Sequence, residues 1–152
     1  QVLHHSRTSL YRLAFSITRN SSDAQEAVAE AVCRAYERYP QLREKEKLPR
    51  WLLKITANEA RRLCQRRGRT VSLDDLPTEP AIPGRETGDD TLWQAVQTLP
   101  RDQREAVVLF YYEDLPTEEI ARIVGTSPGA VRVRLSRARE KLRSILKEGD
   151  YG

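Results

Sequence analysis

The sequence predicts an all-α protein built from two small helical domains joined by a flexible linker. Three observations predict it. Apolar residues recur at spacings of three and four along most of the chain, and no stretch of any length alternates as a half-buried strand would. The segment Val71–Asp90 has no sustained period and carries Pro77, Pro80, Pro83, Gly84 and Gly88, the composition of a tether. The segment Leu115–Arg143 reads as a helix, a tight turn and a second, basic helix, the geometry of a major-groove reader. A chain of 152 residues with 39% hydrophobic and 32% charged side chains suits small, well-wetted domains better than one large core. The expected organisation is a first domain over 1–70, an acidic linker over 71–90 and a second domain over 91–152.

In the first domain, Leu3, Leu10, Leu13, Ala14 and Ile17 mark an amphipathic helix. Asn20, Ser21 and Ser22 form a turn, and Ser22 or Asp23 can cap a second helix. Along that helix Ala24, Ala27, Val28, Ala31, Ala35 and Tyr39 recur at helical spacing until Pro40 ends it. Cys33 lies in this apolar stretch and is expected as a small core residue. Gln41–Lys47 is a charged loop, in which Arg43 and Lys45 offer charge. Pro49 fits the first turn of a third helix that runs to about Arg67 and is closed by Gly68. Along it Arg50, Lys54, Asn58, Arg61 and Gln65 form a polar stripe, with Leu48, Leu52, Ile55 and Leu63 opposite. Glu59 also falls inward; an arginine partner or a slightly different helix phase would account for it. Trp51 sits between the two faces and is expected in the core, with a stacking platform for an unpaired base as its alternative.

In the second domain, Thr91–Leu99 is a short helix with Leu92, Ala95, Val96 and Leu99 inward. Pro100 starts another, with Ala106, Val107 and Phe110 inward. Thr117 is expected to cap the next helix, where Glu118 and Glu119 suit the positive N-terminal end. Ile120, Ile123 and Val124 give that helix its apolar face, and Gly125 permits the left-handed conformation that stops it. Ser127 is a good cap and Pro128 a good first residue for the last helix. On that helix Val131, Leu135, Ala138, Leu142 and Ile145 fall inward, and Gly129, Arg132, Val133, Ser136, Arg137 and Glu140 outward. Arg134, Arg139 and Arg143 sit on the flanks, where guanidinium groups reach phosphates. Seven basic residues against one acidic residue between Ser127 and Lys147 favour DNA over mere solvation. Val133, apolar and outward, finds a partner in a thymine methyl.

The net charge of +4 is unevenly placed: +8 over 1–70, −5 over 71–91 and +1 beyond. Two basic-faced segments with an acidic connector imply two contacts with nucleic acid. Cys33 and Cys64 are isolated, with no C-x-x-C pair and no Cys/His cluster, and His4 and His5 alone make a poor metal site. No metal and no cofactor are expected. No Ser/His/Asp set, Gly-rich phosphate loop or paired carboxylates in an evident cleft point to an enzyme. No apolar run is long enough to cross a membrane, and the opening residues lack the features of a secretory signal. A cytoplasmic protein with reduced thiols is expected. The chain has no methionine, and a trimmed sequence is expected.

The stretch LPRDQREAVVLFYYEDLPTEEIARIVGTSPGAVRVRLSRAREKLR resembles the fourth domain of bacterial sigma factors of the extracytoplasmic-function group. It carries the Leu-Pro-x-x-x-Arg-Glu opening, the Glu-Glu-Ile-Ala helix and the Gly-x-Val-Arg-x-Arg-Leu-x-Arg-Ala-Arg run, with Ala130 where the family usually has Thr. The first half resembles sigma domain 2 through its Asp-Ala-x-acidic helix and its Trp-Leu-x-x-Ile-x-x-Asn helix. Together the two cover about Ser9 to Leu146.

The resemblance implies a promoter-specificity factor without covalent chemistry of its own. Such a factor binds core RNA polymerase, recognises −35 and −10 promoter elements and assists melting. By position it implies −35 contacts at Arg132, Val133, Arg134, Ser136, Arg137 and Arg139, and −10 contacts at Leu42, Arg43, Lys54, Asn58 and Arg61. Leu42 stands where an aromatic residue is common. The resemblance further implies binding of the β′ clamp helices through Asp23, Glu26 and Glu30, with Ala29 in place of a usual polar residue. The implied partners are core polymerase, through β′ and the β subunit, promoter DNA and an anti-sigma factor. The competing reading is a stand-alone helix-turn-helix regulator; it calls for a dimerisation helix or a sensor pocket, and the sequence shows neither.

Overall fold

The computed structural model describes the backbone of residues 2–67 and 90–151, and the side chains of residues 7–67 and 91–147. All regular structure among them is helical. The side chains of Leu3, His4 and His5, Gly68, and all of the expected linker but Asp90 lie outside the described residues. The described residues fall into two compact units, 2–67 and 90–151.

The first unit packs three helices pairwise: α1 (Val2–Thr18), α2 (Ser21–Arg38) and α3 (Leu48–Arg67). Its bulk comes from Leu10, Leu13, Phe15 and Ile17 of α1 and from Leu52, Leu53, Ile55 and Leu63 of α3. Helix α2 contributes mostly methyl groups: Ala24, Ala27, Ala31 and Ala35, with Val28. Between α1 and α2 the chain turns through Arg19, which has a left-handed backbone (φ 56°). The cap of α2 is Asn20, not Ser22 or Asp23. Its Oδ1 accepts a hydrogen bond from the Asp23 amide at 2.8 Å, and Ser21 and Ser22 already lie in the helix.

Two other expectations in this unit are corrected. Cys33 is exposed, because it falls on the outer side of α2 in line with Glu26, Glu30 and Glu37. Tyr39 is 41% exposed, as α2 ends at Arg38 and a 3₁₀ turn, Tyr39–Gln41, takes the chain away. Glu59 does point inward, at 5% exposure, and an arginine partner accounts for it. Its Oε2 lies 2.5 Å from Arg34 Nε on α2 and 3.3 Å from Arg62 Nη1 on its own helix.

The second unit contains α4 (Asp90–Gln97), α5 (Arg101–Val107), α6 (Thr117–Val124) and α7 (Pro128–Tyr151). In and just after α4, Ala95, Val96 and Leu99 are buried as expected, and Leu92 alone of the four departs. Leu92 is 37% exposed, whereas Trp93 is buried at 2% and meets Tyr112 edge-on at 5.4 Å. Burying the larger indole face removes more apolar area from water than burying a leucine. Buried Arg104 on α5 donates from Nη1 to the Leu99 carbonyl at 2.8 Å and so ties α5 to the end of α4.

Helix α5 continues into a π-helical turn, Val108–Tyr112, in which the Glu113 amide reaches back five residues to the Val108 carbonyl (3.2 Å). The wider turn changes the direction in which its side chains point. Val108 and Leu109 are buried, and Phe110, expected inward, is only half-buried. The cap expected of Thr117 falls one residue earlier. Extended Pro116 occupies the cap position with no side-chain bond, and its carbonyl accepts from the Glu119 and Ile120 amides. Gly125 is left-handed (φ 78°), and Ser127 Oγ accepts from the Ala130 amide at 3.1 Å; both are as the sequence predicts.

Candidate nucleic-acid interface

The helix-turn-helix holds α7 firmly on one side. Val131, Leu135, Ala138 and Leu142 are buried against the unit, and Ile145 is half-buried. The opposite face of its first turns presents Arg132, Val133, Ser136 and Arg137, all exposed, with Val133 at 47%. An isolated exposed valine among arginines suits base edges: arginine reads guanine, serine is versatile, and an apolar group meets the thymine methyl. The other two predicted −35 residues are tethered within the unit. Arg134 is half-buried, with Nε 3.7 Å from Asp102 Oδ2 at the start of α5. Arg139 donates from Nε to the Tyr111 hydroxyl at 2.8 Å.

On the first unit, the stripe of α3 stands open at Arg50, Lys54, Asn58 and Gln65. Arg61 is half-buried and donates from Nη1 to Asn58 Oδ1 at 3.4 Å, so two of the predicted −10 residues act on each other. Preceding α3, the loop exposes Arg43 and half-buries Leu42. Lys45 is not a free charge in this loop. Its Nζ donates to the Tyr39 and Leu42 carbonyls, both at 2.8 Å, and sits 3.9 Å from the Tyr39 ring centroid. The lysine thus staples the loop that carries Leu42 and Arg43. Trp51 is half-buried between the two faces of α3.

On α2, Glu26 and Glu30 are exposed, while Asp23 is 8% exposed. Its Oδ1 lies 3.0 Å from Arg67 Nη2, an ion pair that joins the start of α2 to the end of α3. Sequence reasoning missed an apolar groove lined by Leu10, Val32, Tyr36, Tyr39 and Leu52. Tyr36 is 84% exposed there. The recurrence of Val32 and Tyr36 four residues apart, beside the alanine face of α2, was the available signal. Among the described residues no group of three or more His, Cys, Asp or Glu could hold a metal ion, and no helix is long and apolar enough to cross a membrane.

Comparison with known proteins places these surfaces in a family. Residues 2–70 match Sigma-70 region 2 and residues 89–142 match Sigma-70, region 4. The chain is 32% identical over 142 residues to RNA polymerase sigma factor SigV of Bacillus subtilis, covering 92% of this chain and 86% of that protein. It is also 32% identical over 143 residues to the ECF RNA polymerase sigma factor EcfG of Rhodopseudomonas palustris, covering 91% and 79%. Among solved structures it resembles the sigma factor RpoE in complex with the anti-sigma factor NepR from Bartonella quintana. That match has a TM-score of 0.77 and 29% identity, over 97% of this chain and 95% of that one. The two region matches and these relatives agree, and the chain belongs to the extracytoplasmic-function group of the sigma-70 family, the promoter-specificity factors of RNA polymerase.

Proposed function

We propose that this sigma factor reads a −35 element with the outward face of α7, and a −10 element with the stapled loop and the stripe of α3. The observation that carries the reading is the first half of α7. There a capped helix, locked by Val131 and Leu135, holds Arg132, Val133, Ser136 and Arg137 clear of the protein. Arg134 and Arg139 flank them as phosphate contacts. In the first unit Arg43, Lys54, Asn58 and Arg61 track the backbone and the unpaired strand, with Leu42 as an apolar contact for an extruded base. Residues 1–70 and 91–152 act as separate readers, and 71–90 tether them.

Glu26 and Glu30 offer an acidic surface on α2 to the clamp helices of the polymerase β′ subunit, and the second unit faces the β subunit. Asp23 supports that surface through its pair with Arg67 rather than by direct contact. The protein acts in the cytoplasm without covalent chemistry of its own. The RpoE relative was solved with an anti-sigma factor, which supports an anti-sigma partner for this chain as well. The test is reconstituted transcription from a library of promoter fragments with core polymerase, the chain, or both. Selective initiation only with both is expected. Transcription with no promoter preference over core polymerase alone refutes the reading.

A further inference from the structure

Tyr111 belongs to none of the surfaces assigned above, yet it contacts one of their arginines. It is 47% exposed. The π-helical turn Val108–Tyr112 places it there. Single π turns inside helices frequently mark functional positions, and this one turns Phe110 and Tyr111 away from the core that takes Val108 and Leu109. The two rings meet edge-to-face at 4.8 Å. Arg139 lies against them, its guanidinium carbon 6.0 Å from the Phe110 centroid and 5.9 Å from that of Tyr111, while Nε donates to the Tyr111 hydroxyl at 2.8 Å.

We infer that Tyr111 is a positioning residue for DNA binding: with Phe110 it holds the Arg139 guanidinium in place for a backbone phosphate beside the −35 element. The inference rests on the proposed role of α7. The tyrosine engages only Nε of Arg139, and the arginine remains exposed. The two Nη groups, the ends that form a bidentate pair with phosphate, are therefore left for an outside acceptor. Arg139 stands eleven residues after Pro128, ~16 Å along the helix. The outward readers end at Arg137, and a major groove is ~12 Å wide. Arg139 thus falls at the groove edge, where the sugar–phosphate strand runs. A long arginine side chain otherwise has to be ordered when the complex forms, and ordering it in advance removes that penalty from binding.

The test uses the full chain and a fluorescein-labelled, mixed-sequence 30-base-pair duplex, with anisotropy titrations over a series of KCl concentrations. Tyr111→Phe keeps the ring and removes the hydroxyl. It is expected to weaken binding about two- to tenfold, as one hydrogen bond allows, with an unchanged thermal melting curve. Arg139→Ala is expected to lower the salt slope by about 0.9, the loss of one phosphate contact. The double variant is expected to bind like Arg139→Ala alone. Tyr111→Phe binding like wild type, or a double variant weaker than Arg139→Ala by the full Tyr111→Phe factor, overturns the positioning role. An unchanged salt slope in Arg139→Ala overturns the phosphate contact and the inference with it. Failure of the α7 reading itself has a different signature: Arg132→Ala/Arg137→Ala selecting the same −35 sequences as wild type from a pool of randomised duplexes.

Discussion

Removing the charge of Glu59 should loosen the first unit and leave the second intact. The Glu59 side chain is 7% exposed, and its carboxylate faces Arg34 across the α2–α3 contact and Arg62 one turn along its own helix. Glu59→Gln keeps the shape and takes away the charge. Breaking a wholly buried pair from one side costs ~3–5 kcal/mol. Here the Arg34 side chain is 34% exposed, so water recovers part of its solvation and the cost falls to ~2 kcal/mol. The Arg62 pair, with that side chain 51% exposed, adds at most ~0.5 kcal/mol. A unit of this size loses ~4–8 °C in Tm per kcal/mol, so its melting point should drop by ~8–20 °C. Thermal melting by circular dichroism measures the shift, and hydrogen exchange read by mass spectrometry locates it. Protection should fall in α2 and α3 and hold in α5 and α7. A double change, Arg34→Leu with Glu59→Leu, should recover most of the loss, because two apolar groups leave no uncompensated charge. Glu59→Gln within ~0.5 kcal/mol of wild type, the usual scatter of surface changes, would refute the assignment of this pair as the α2–α3 tie.

Three further outcomes are expected. Gly125→Ala should destabilise the second unit by ~1 kcal/mol: a Cβ meets nothing within 4 Å, so the cost is that of a left-handed alanine alone, and denaturant titration reads it. Lys45→Ala and Arg43→Ala should both reduce permanganate reactivity of the −10 region in promoter complexes, and a pre-melted bubble should partly restore it; undiminished melting of duplex templates by Lys45→Ala would show that the loop needs no staple. Arg137→Ala should lose ~1–3 kcal/mol of discrimination at one −35 position, while Arg139→Ala weakens all sequences alike; selection from randomised −35 duplexes separates the two.

What the sequence discloses here is what short-range physics decides. Gly125, Ser127 and Pro128 each have a conformational preference that acts within a few residues, so the turn and the start of α7 are legible. The inward face of α7 is legible because Val131, Leu135, Ala138 and Leu142 keep one period. The period fails where something interrupts it. The π turn adds a residue within one helical turn, and Phe110 leaves the core as a result. Tertiary competition also overrides local signals: Trp93 displaces Leu92 because the second unit has an aromatic partner waiting in Tyr112. Contacts between distant positions left no trace in any local pattern. Arg139 and Tyr111 lie 28 residues apart, and Asp23 meets Arg67 at the far end of another helix. Even the short-range staple of Lys45 was hidden, since a lysine in a charged loop looks the same whether it bonds carbonyls or water.

The alanine seam of α2 sets how freely this protein can vary. Ala24, Ala27 and Ala31 have no exposed surface at all. An alanine at full burial has almost no volume to give up and no room to gain, because added methylenes in a filled interior force the backbone to move. A shift of α2 would carry Glu26 and Glu30 with it. Positions on the outer side, such as Gln25, Ala29 and Cys33, stand in solvent and are under no such restriction. Mutational tolerance along this helix should therefore alternate sharply, near zero on the seam and broad outside it. The outer surface of α2 can then change its chemistry residue by residue over evolutionary time while the distance at which it is displayed stays fixed.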